Sequence, residues 1–253
     1  MTTAILSALP EEQGGLVHAL QAAERIHHAG RSFWRGRLLG QPVVLALSGI
    51  GKVAAATTAT LLAERFGVAR IVFTGVAGGL GDGVQVGDVV VAQDFLQHDM
   101  DASPIFQRWE VPGYGLARMP CDAALSAIIF EAASAYLVSA RDRFEPDNSA
   151  IAHHHAARAH RGLIVSGDRF VSTSAESAAL RQALGAAGHQ ALAVEMEGAA
   201  VAQVCHDYGL PFAAVRTISD RADDSAHVDF PHFVRNVASR YADHIMHGLL
   251  RLL

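Results

Sequence analysis

The sequence predicts an α/β fold, because short apolar runs alternate along the chain with longer segments that carry a helical period. Of its 253 residues, 51% are hydrophobic and 18% are charged, which is typical of a folded globular protein and excludes a disordered one. A chain of this length is often one α/β domain, so we expect residues 1–253 to form a single domain.

The predicted strands are short runs rich in valine and isoleucine that are apolar on both faces. They cover residues 4–9, 42–48, 70–74, 88–93, 162–166, 192–195 and 212–219. Runs of this kind are typical of strands in a largely parallel sheet that helices cover on both sides.

The predicted helices lie between these strands. They cover residues 11–27, 51–66, 123–140, 175–187, 198–208 and 230–252. We expect Asp229 to cap the last of them. Loops are predicted at residues 98–120, which are rich in proline, glycine and aromatic residues, and at 141–160, which contain three successive histidines.

Composition excludes several classes of protein. Twenty Lys and Arg against 25 Asp and Glu give a net charge of -5, so no nucleic-acid partner is expected. No run of 18 uncharged apolar residues and no signal peptide is present, so no membrane span is expected. Cys121 and Cys205 have neither disulfide nor metal-ligand spacing, which favours a reducing compartment, the cytoplasm.

Residues 48–54, Ser-Gly-Ile-Gly-Lys-Val-Ala, follow a strand and open a helix, as the phosphate loop of a dinucleotide site does. The acidic residue that should end the next strand is missing, since that strand ends Phe73-Thr74-Gly75. Lys52 lacks the following Ser or Thr of a P-loop. We therefore interpret this segment as a tight turn and expect no cofactor.

Acidic and glycine-rich segments lie at the ends of several predicted strands. Glycines at 75–83 form either a plain turn or a backbone that a ligand can approach closely. Glu195 and Glu197 precede a helix, where negative charge is favourable, and Asp220 follows Ser219 as a turn cap or as an acid. Because ligands bind beyond the carboxyl ends of parallel strands, a site here is favoured.

Glu12, Glu197 and Asp220 together would supply the groups that glycosidic hydrolysis needs. These are an acid for the leaving group, a carboxylate that activates water, and negative charge beside a cationic sugar. The histidines at 153–155 are interpreted as part of a solvated loop, so no metal site is predicted.

Seven blocks, in order along the chain, resemble the 5'-methylthioadenosine/S-adenosylhomocysteine nucleosidase family. They are residues 8–12, 48–52, 74–79, 86–90, 166–170, 194–197 and 216–220. The likeness runs from about residue 4 to residue 252. It implies a homodimer with a nucleoside phosphorylase-type fold, in which helices flank a central mixed, barrel-like sheet.

The resemblance also implies the role of each catalytic residue. Asp220 would protonate adenine N7 with help from Ser219, and Glu12 would position or deprotonate the attacking water. Glu197 would hold the ribose hydroxyls and stabilise the cationic sugar, with Met196 packed against it.

Further residues are expected to bind the nucleoside. Phe170 would stack on adenine, Val171 would offer its backbone to the base edge, and Arg216 would join the network around the water. The remaining expected contacts are Glu195, Ala77, Gly78, Ile50 and Phe230.

This chain departs from the family pattern at three of the places that bear on the site. Val76 stands where many relatives carry a serine near the water, and Leu9-Pro10 replaces frequent methionine and acidic residues. Residues 99–120 also diverge; in the family this segment reaches across the dimer, which makes Ile105 and Phe106 candidate contacts with the partner's substrate.

Two other reactions remain open on the same fold. A purine nucleoside phosphorylase would cleave the same bond with phosphate, but no cluster of arginines follows the first strand here. A nucleosidase for another purine nucleoside, such as a futalosine type, is a second alternative that the sequence does not exclude.

Overall fold

The computed structural model describes residues 1–13, 15–141 and 156–253. In these residues ten strands form one mixed sheet. The strands are β1 (Thr3–Ser7), β2 (Gln21–His28), β3 (Arg31–Leu38), β4 (Gln41–Leu47), β5 (Arg70–Gly79), β6 (Val89–Gln97), β7 (Arg118–Pro120), β8 (Ala159–Ser166), β9 (Ala191–Glu195) and β10 (Phe212–Asp220).

Part of this sheet closes on itself. The ring runs β5-β10-β6-β8-β9 and returns to β5, with parallel pairs at β5-β10, β6-β8 and β8-β9 and antiparallel pairs at β10-β6 and β9-β5. From β5 the sheet continues outward through β1, β4, β3 and β2. The mixed, barrel-like sheet implied by the family resemblance is therefore confirmed, whereas the largely parallel sheet read from strand composition is not.

Helices cover both sides of the sheet. They are α1 (Pro10–Gln13), α2 (Leu16–Ala19), α3 (Lys52–Glu64), α4 (Ala123–Arg141), α5 (Ser174–Ala186), α6 (Gly198–Tyr208), α7 (Ala226–Phe233) and α8 (Ser239–Leu252), with a π-helical turn at Val234–Ala238 between the last two. The predictions of α3 to α6 are confirmed to within one or two residues. Thr173 caps α5 by accepting a hydrogen bond from the Glu176 N–H at 3.2 Å.

Two apolar layers hold the helices to the sheet. On one side α3 and α6 contribute Leu62 and Val201 to a core that includes Phe95. On the other, α4 and α8 contribute Ile129 and Leu249 to a second core. Each buried leucine- or isoleucine-sized side chain stabilises the fold by about 1.5–3 kcal/mol, so the sheet is fixed from both faces.

The prediction of one helix over residues 11–27 is wrong. Among the described residues of this range only α1 and α2 are helical, and Gln21–His28 forms β2, the exposed outer strand. Two-residue turns with positive φ, Ala29-Gly30 and Leu39-Gly40, join β2 to β3 and β3 to β4. Because such turns match the twist of antiparallel strands, hairpin pairing overrides the helical preference of this alanine-rich segment.

Three further expectations need correction. The glycines from Gly75 to Gly79 belong to β5 and not to a turn, because β10 pairs beside them. Asp229 lies inside α7 and does not cap a helix. His160 lies in β8, where its Nε2 is 2.8 Å from Asp88 Oδ2, while the histidines at 153–155 lie outside the described residues.

One helix of the described chain, α4, is long and apolar enough to cross a membrane by length and composition alone. Its buried residues Leu125, Ile129 and Leu137 lie in the core with Val91 and Val215 of the sheet. A long apolar helix that packs on a sheet is an ordinary core helix, so this feature does not support a membrane span.

Candidate active site

A cavity of about 480 Å³ opens where several strands end, a size typical of small-molecule sites. Its lining comes from segments at or just after the carboxyl ends of β1, β4, β5, β8, β9 and β10, and from α7. The lining residues are Ala8, Leu9, Glu12, Ile50, Val76, Ala77, Gly78, Arg169, Phe170, Val171, Val194, Glu195, Met196, Glu197, Asp220, His227, Phe230 and Pro231.

Main-chain N–H groups hold the carboxylate of Glu12 in one wall. Its Oε2 accepts hydrogen bonds from the N–H groups of Ala8 and Leu9, both at 2.8 Å, and its Oε1 accepts one from Val76 at 3.0 Å. A Cβ at position 75 would lie 2.7 Å from Oε1, so only glycine permits this approach. Burial raises the pKa of Glu12, against the lowering effects of Arg216 and the three N–H groups.

Glu197 projects from the start of α6. Its Oε1 accepts a hydrogen bond from the Gly51 N–H at 2.9 Å and does not cap its own helix. Burial, and then the negative charge of Glu195, raise the pKa of Glu197 to about 8. Its proton is therefore exchangeable near neutral pH.

Glu195 and Arg216 form a buried ion pair beside Glu197, with Nη2 2.7 Å from Oε2. Glu195 also accepts hydrogen bonds from the Gly198 N–H at 2.9 Å and from the Ser166 hydroxyl. The helix N-terminal interpretation of Glu195 thus holds. Because a buried ion pair is stable only when its other polar atoms are bonded, this arrangement fixes the Glu195 carboxylate.

Asp220 ends β10 at a change of register. Ile218 pairs with Ala77 and Asp220 with Gly78, so Ser219 is an extra residue in the strand. The Ser219 hydroxyl donates to Asp220 Oδ2 at 2.8 Å, and the Ala222 N–H donates to Oδ1 at 2.8 Å. Burial outweighs both bonds and raises the pKa of Asp220, which favours a protonated carboxyl.

An aromatic and apolar wall faces these carboxylates. Phe170 and Phe230 contact each other edge to face, with ring centroids 5.5 Å apart. Val171 is buried beside them, and Met196 lies between the two glutamates in sequence. The cavity therefore combines one face suited to a flat ring with four acidic side chains.

The chain resembles known proteins over nearly its whole length. Residues 2–251 match the model of the Phosphorylase superfamily. The 5'-methylthioadenosine/S-adenosylhomocysteine nucleosidase of Shewanella denitrificans is 36% identical over 234 residues, which are 92% of each chain. This chain belongs to that nucleosidase family.

Solved structures of family members have the same fold. The nucleosidase of Neisseria meningitidis, in complex with methylthio-immucillin-A, has a TM-score of 0.86 at 33% identity and covers 100% of this chain and 99% of its own. The nucleosidase of Colwellia psychrerythraea, in complex with adenine, has a TM-score of 0.87 at 31% identity, and the match covers 100% of this chain and 96% of that one. The nucleoside phosphorylase-type fold is confirmed.

Of the substrate-binding and catalytic residues that the sequence predicts, all but Ser219 and Arg216 lie in the lining of this cavity. Ser219 lies behind Asp220, to which it donates, and Arg216 lies behind Glu195 with its guanidinium carbon 4.0 Å from the Phe73 ring centroid. Both residues therefore act on the cavity through another side chain.

Sequence reasoning missed His227 and Pro231, which line the cavity from α7. A helical period could have indicated His227, since it lies one turn before Phe230 on the same helix. It also missed Arg169, which lines the cavity while pairing with Glu176. Among the described residues no group of three His, Cys, Asp or Glu side chains could hold a metal ion.

Replacing Glu197 with glutamine is expected to reduce the pH dependence of stability. In the unfolded chain this group ionises near 4.5, whereas in the fold its pKa is about 8. Between those values the folded protein keeps a proton that the unfolded chain loses, so stability falls by up to about 1.4 kcal/mol per pH unit as pH rises. Urea unfolding from pH 4.5 to 8 measures this slope, which Glu197→Gln should flatten.

The matched control is Glu11→Gln, which removes an exposed carboxylate outside the cavity. Its slope should equal that of the wild type. An equal slope for Glu197→Gln as well would contradict the raised pKa.

Proposed function

We propose that the protein hydrolyses the N-glycosidic bond of 5'-methylthioadenosine and S-adenosylhomocysteine, releasing adenine and the 5'-thio-substituted ribose. The observation that carries this proposal is the convergence of Glu12, Glu197 and Asp220 on one cavity beside an aromatic wall. Membership of the nucleosidase family supports the choice of substrate.

Asp220 is assigned the role of general acid. Adenine is a poor leaving group as an anion, and a proton delivered to N7 lets it leave as a neutral base. Burial raises the pKa of Asp220, so the carboxyl can carry this proton. The hydrogen bond from Ser219 fixes its Oδ2 side, and the bond from Ala222 fixes the other oxygen.

Glu12 is assigned the role of activating the attacking water, and Glu197 the role of stabilising the sugar. The three N–H groups on Glu12 fix its orientation, and its raised pKa makes it basic enough to take a proton from the attacking water. An ionised Glu197 stabilises the positive charge that develops on the ribose and accepts hydrogen bonds from its hydroxyls. Phe170, Val171 and Phe230 would enclose the base, and Met196, Ile50, Ala77 and Gly78 the sugar.

Water, rather than phosphate, is the proposed nucleophile. Among the described residues that line the cavity, the one arginine is Arg169, and it pairs with Glu176. The buried Arg216 is held by Glu195 and two carbonyl oxygens. No free arginine of the described lining is therefore placed to bind a phosphate dianion.

Purified protein should release adenine from methylthioadenosine in phosphate-free buffer and yield free methylthioribose. The sugar product, identified by mass spectrometry, distinguishes hydrolysis from phosphorolysis. A sugar 1-phosphate, formed at a rate that rises with added phosphate, would support the phosphorylase alternative. Parallel assays with S-adenosylhomocysteine, inosine and a futalosine-type nucleoside test the substrate class.

Asp220→Asn is expected to lower kcat by about 10² to 10⁴-fold, since asparagine keeps the size and one acceptor oxygen but cannot transfer a proton. Adenine binding, measured by calorimetry, should persist. Asp223→Asn is the matched control, because Asp223 bonds to Ser225 and lies outside the cavity lining. Near wild-type turnover in folded Asp220→Asn, with loss in Asp223→Asn, would transfer the acid role to Asp223.

We propose that the protein is a homodimer in which residues 99–120 of one chain approach the partner's cavity. Large apolar side chains support this, since Ile105 is 82% exposed, Val53 is 79% exposed, and Ile50 is 58% exposed where it lines the cavity. Apolar exposure beside a ligand site is typical of a surface that another chain covers.

Light scattering should give the mass of two chains for the wild type. Ile105→Glu should shift the protein to the mass of one chain and weaken nucleoside binding, because burying a charge in an interface is costly. Leu39→Glu should remain dimeric, since Leu39 is an exposed residue at the opposite end of β4 from Ile50. A monomeric wild type with full activity would overturn the proposal.

The cytoplasm is the proposed location. Both cysteines are free thiols, and burial raises the pKa of both, that of Cys205 to about 12, so neither is placed for disulfide chemistry. Fractionation of the host cell tests this location.

A further inference from the structure

We propose that a cluster of Lys52, Asp99 and Asp168, none of which lines the cavity, positions the carboxylate of Glu197 through the main-chain N–H of Gly51. The expected effect on kinetics rests on the proposed function, whereas the positioning of Glu197 does not. It makes these three residues positioning residues for the reaction.

The Gly51 N–H is the link between the cluster and the cavity. It donates to Glu197 Oε1 at 2.9 Å across a sequence distance of 146 residues. Gly51 has a φ of 95°, a conformation that other residues rarely adopt, and its Cβ position lies 3.1 Å from Asp168 Oδ1. The direction of this N–H thus depends on how the turn before α3 is held.

Lys52 holds that turn from both its main chain and its side chain. Its N–H donates to Asp168 Oδ1 at 2.7 Å, and its Nζ donates to Asp99 Oδ1 at 2.5 Å and to Gln97 Oε1 at 3.2 Å. The Lys52 side chain is only 16% exposed, and Asp168 Oδ2 lies 3.9 Å from Nζ. A compact ammonium with three donors fits this arrangement of acceptors.

The sequence gives independent support, because Lys52 is the only lysine in the chain and every other fixed cationic side chain is an arginine. Arginine presents a planar fork and not three donors around one nitrogen. A chain that otherwise uses arginine thus has lysine at a position where three oxygen atoms surround a single cationic nitrogen.

Asp168 extends the cluster to the wall that faces the base. Its N–H donates to Asp99 Oδ2 at 2.9 Å, and Phe170 and Val171 follow two and three residues later in the chain. The Asp168 carboxylate accepts a hydrogen bond from the Lys52 N–H, so Asp168 connects the turn at Gly51 to the segment that carries Phe170. The cluster therefore fixes two walls of the cavity relative to each other.

The consequence for Glu197 is electrostatic. Its carboxylate faces Glu195 from β9, Arg216 from β10 and Glu12 from α1. Burial, Glu195 and Glu12 raise the pKa of Glu197, whereas Arg216 and the Gly51 N–H lower it. If the cluster is broken and the N–H turns away, the pKa rises and less of the enzyme carries the charge that the sugar requires.

The decisive experiment follows the amide signal of Gly51 by nuclear magnetic resonance as pH is varied, which needs no activity. In the wild type this signal should titrate with Glu197, and Glu197→Gln should abolish the titration. Lys52→Met, and independently Asp99→Asn, should move its midpoint upward by about 0.5 pH unit or more, or remove it. Arg65→Met, which removes an exposed cation at the other end of α3, should match the wild type.

Kinetics then test the link to the reaction. The acid limb of kcat/KM for methylthioadenosine should move upward by the same amount in both cluster variants and not in Arg65→Met. If Lys52→Met fails to fold, the Gly51 titration and the pH profile of Asp99→Asn decide whether the cluster positions Glu197. A Gly51 titration that both folded variants leave unchanged overturns the inference, whereas absent hydrolysis with a shifted titration overturns only the proposed function.

Discussion

The burial of several carboxylates in the lining of one cavity is the constraint on which the rest of this structure depends. A buried carboxylate is costly unless hydrogen bonds replace the water it loses. Here main-chain N–H groups make that replacement for Glu12, Glu197 and Asp220. Backbone donors are less free to rotate than side-chain donors, so each carboxylate keeps its position as long as the segment that carries its N–H donor is held in place.

The closed part of the sheet makes this arrangement possible. The N–H groups of Ala8 and Val76 belong to segments at the ends of β1 and β5, and Asp220 ends β10 beside β5. In an open sheet these ends would lie in a row. Closing the ring through β9 and β8 brings the segment around Glu195 and Glu197 against the same space, and the Glu195 pair with Arg216 fixes it there.

Much of the site could be predicted because its chemistry is local in the sequence. Acidic residues placed directly after apolar strands, such as Glu197 and Asp220, reveal a site at strand ends from sequence alone. Helices α3 to α6 were also predictable, since each is a helix-length segment that follows a short apolar strand run or a loop with turn residues. The β2-β3 hairpin was not, because Ala29-Gly30 and Leu39-Gly40 lack the usual Asn-Gly signal and the neighbouring alanines favour helix.

The contact between Gly75 and Glu12 has a consequence for inheritance. The carboxylate fills the space that any side chain at position 75 would need. A side chain at position 75 therefore requires the Glu12 carboxylate to move from its present position, whereas a shorter residue at position 12 would leave room for that side chain. The two positions are far apart in the chain, yet the residues that each can accept depend on the other, so a substitution at one is expected to require a substitution at the other.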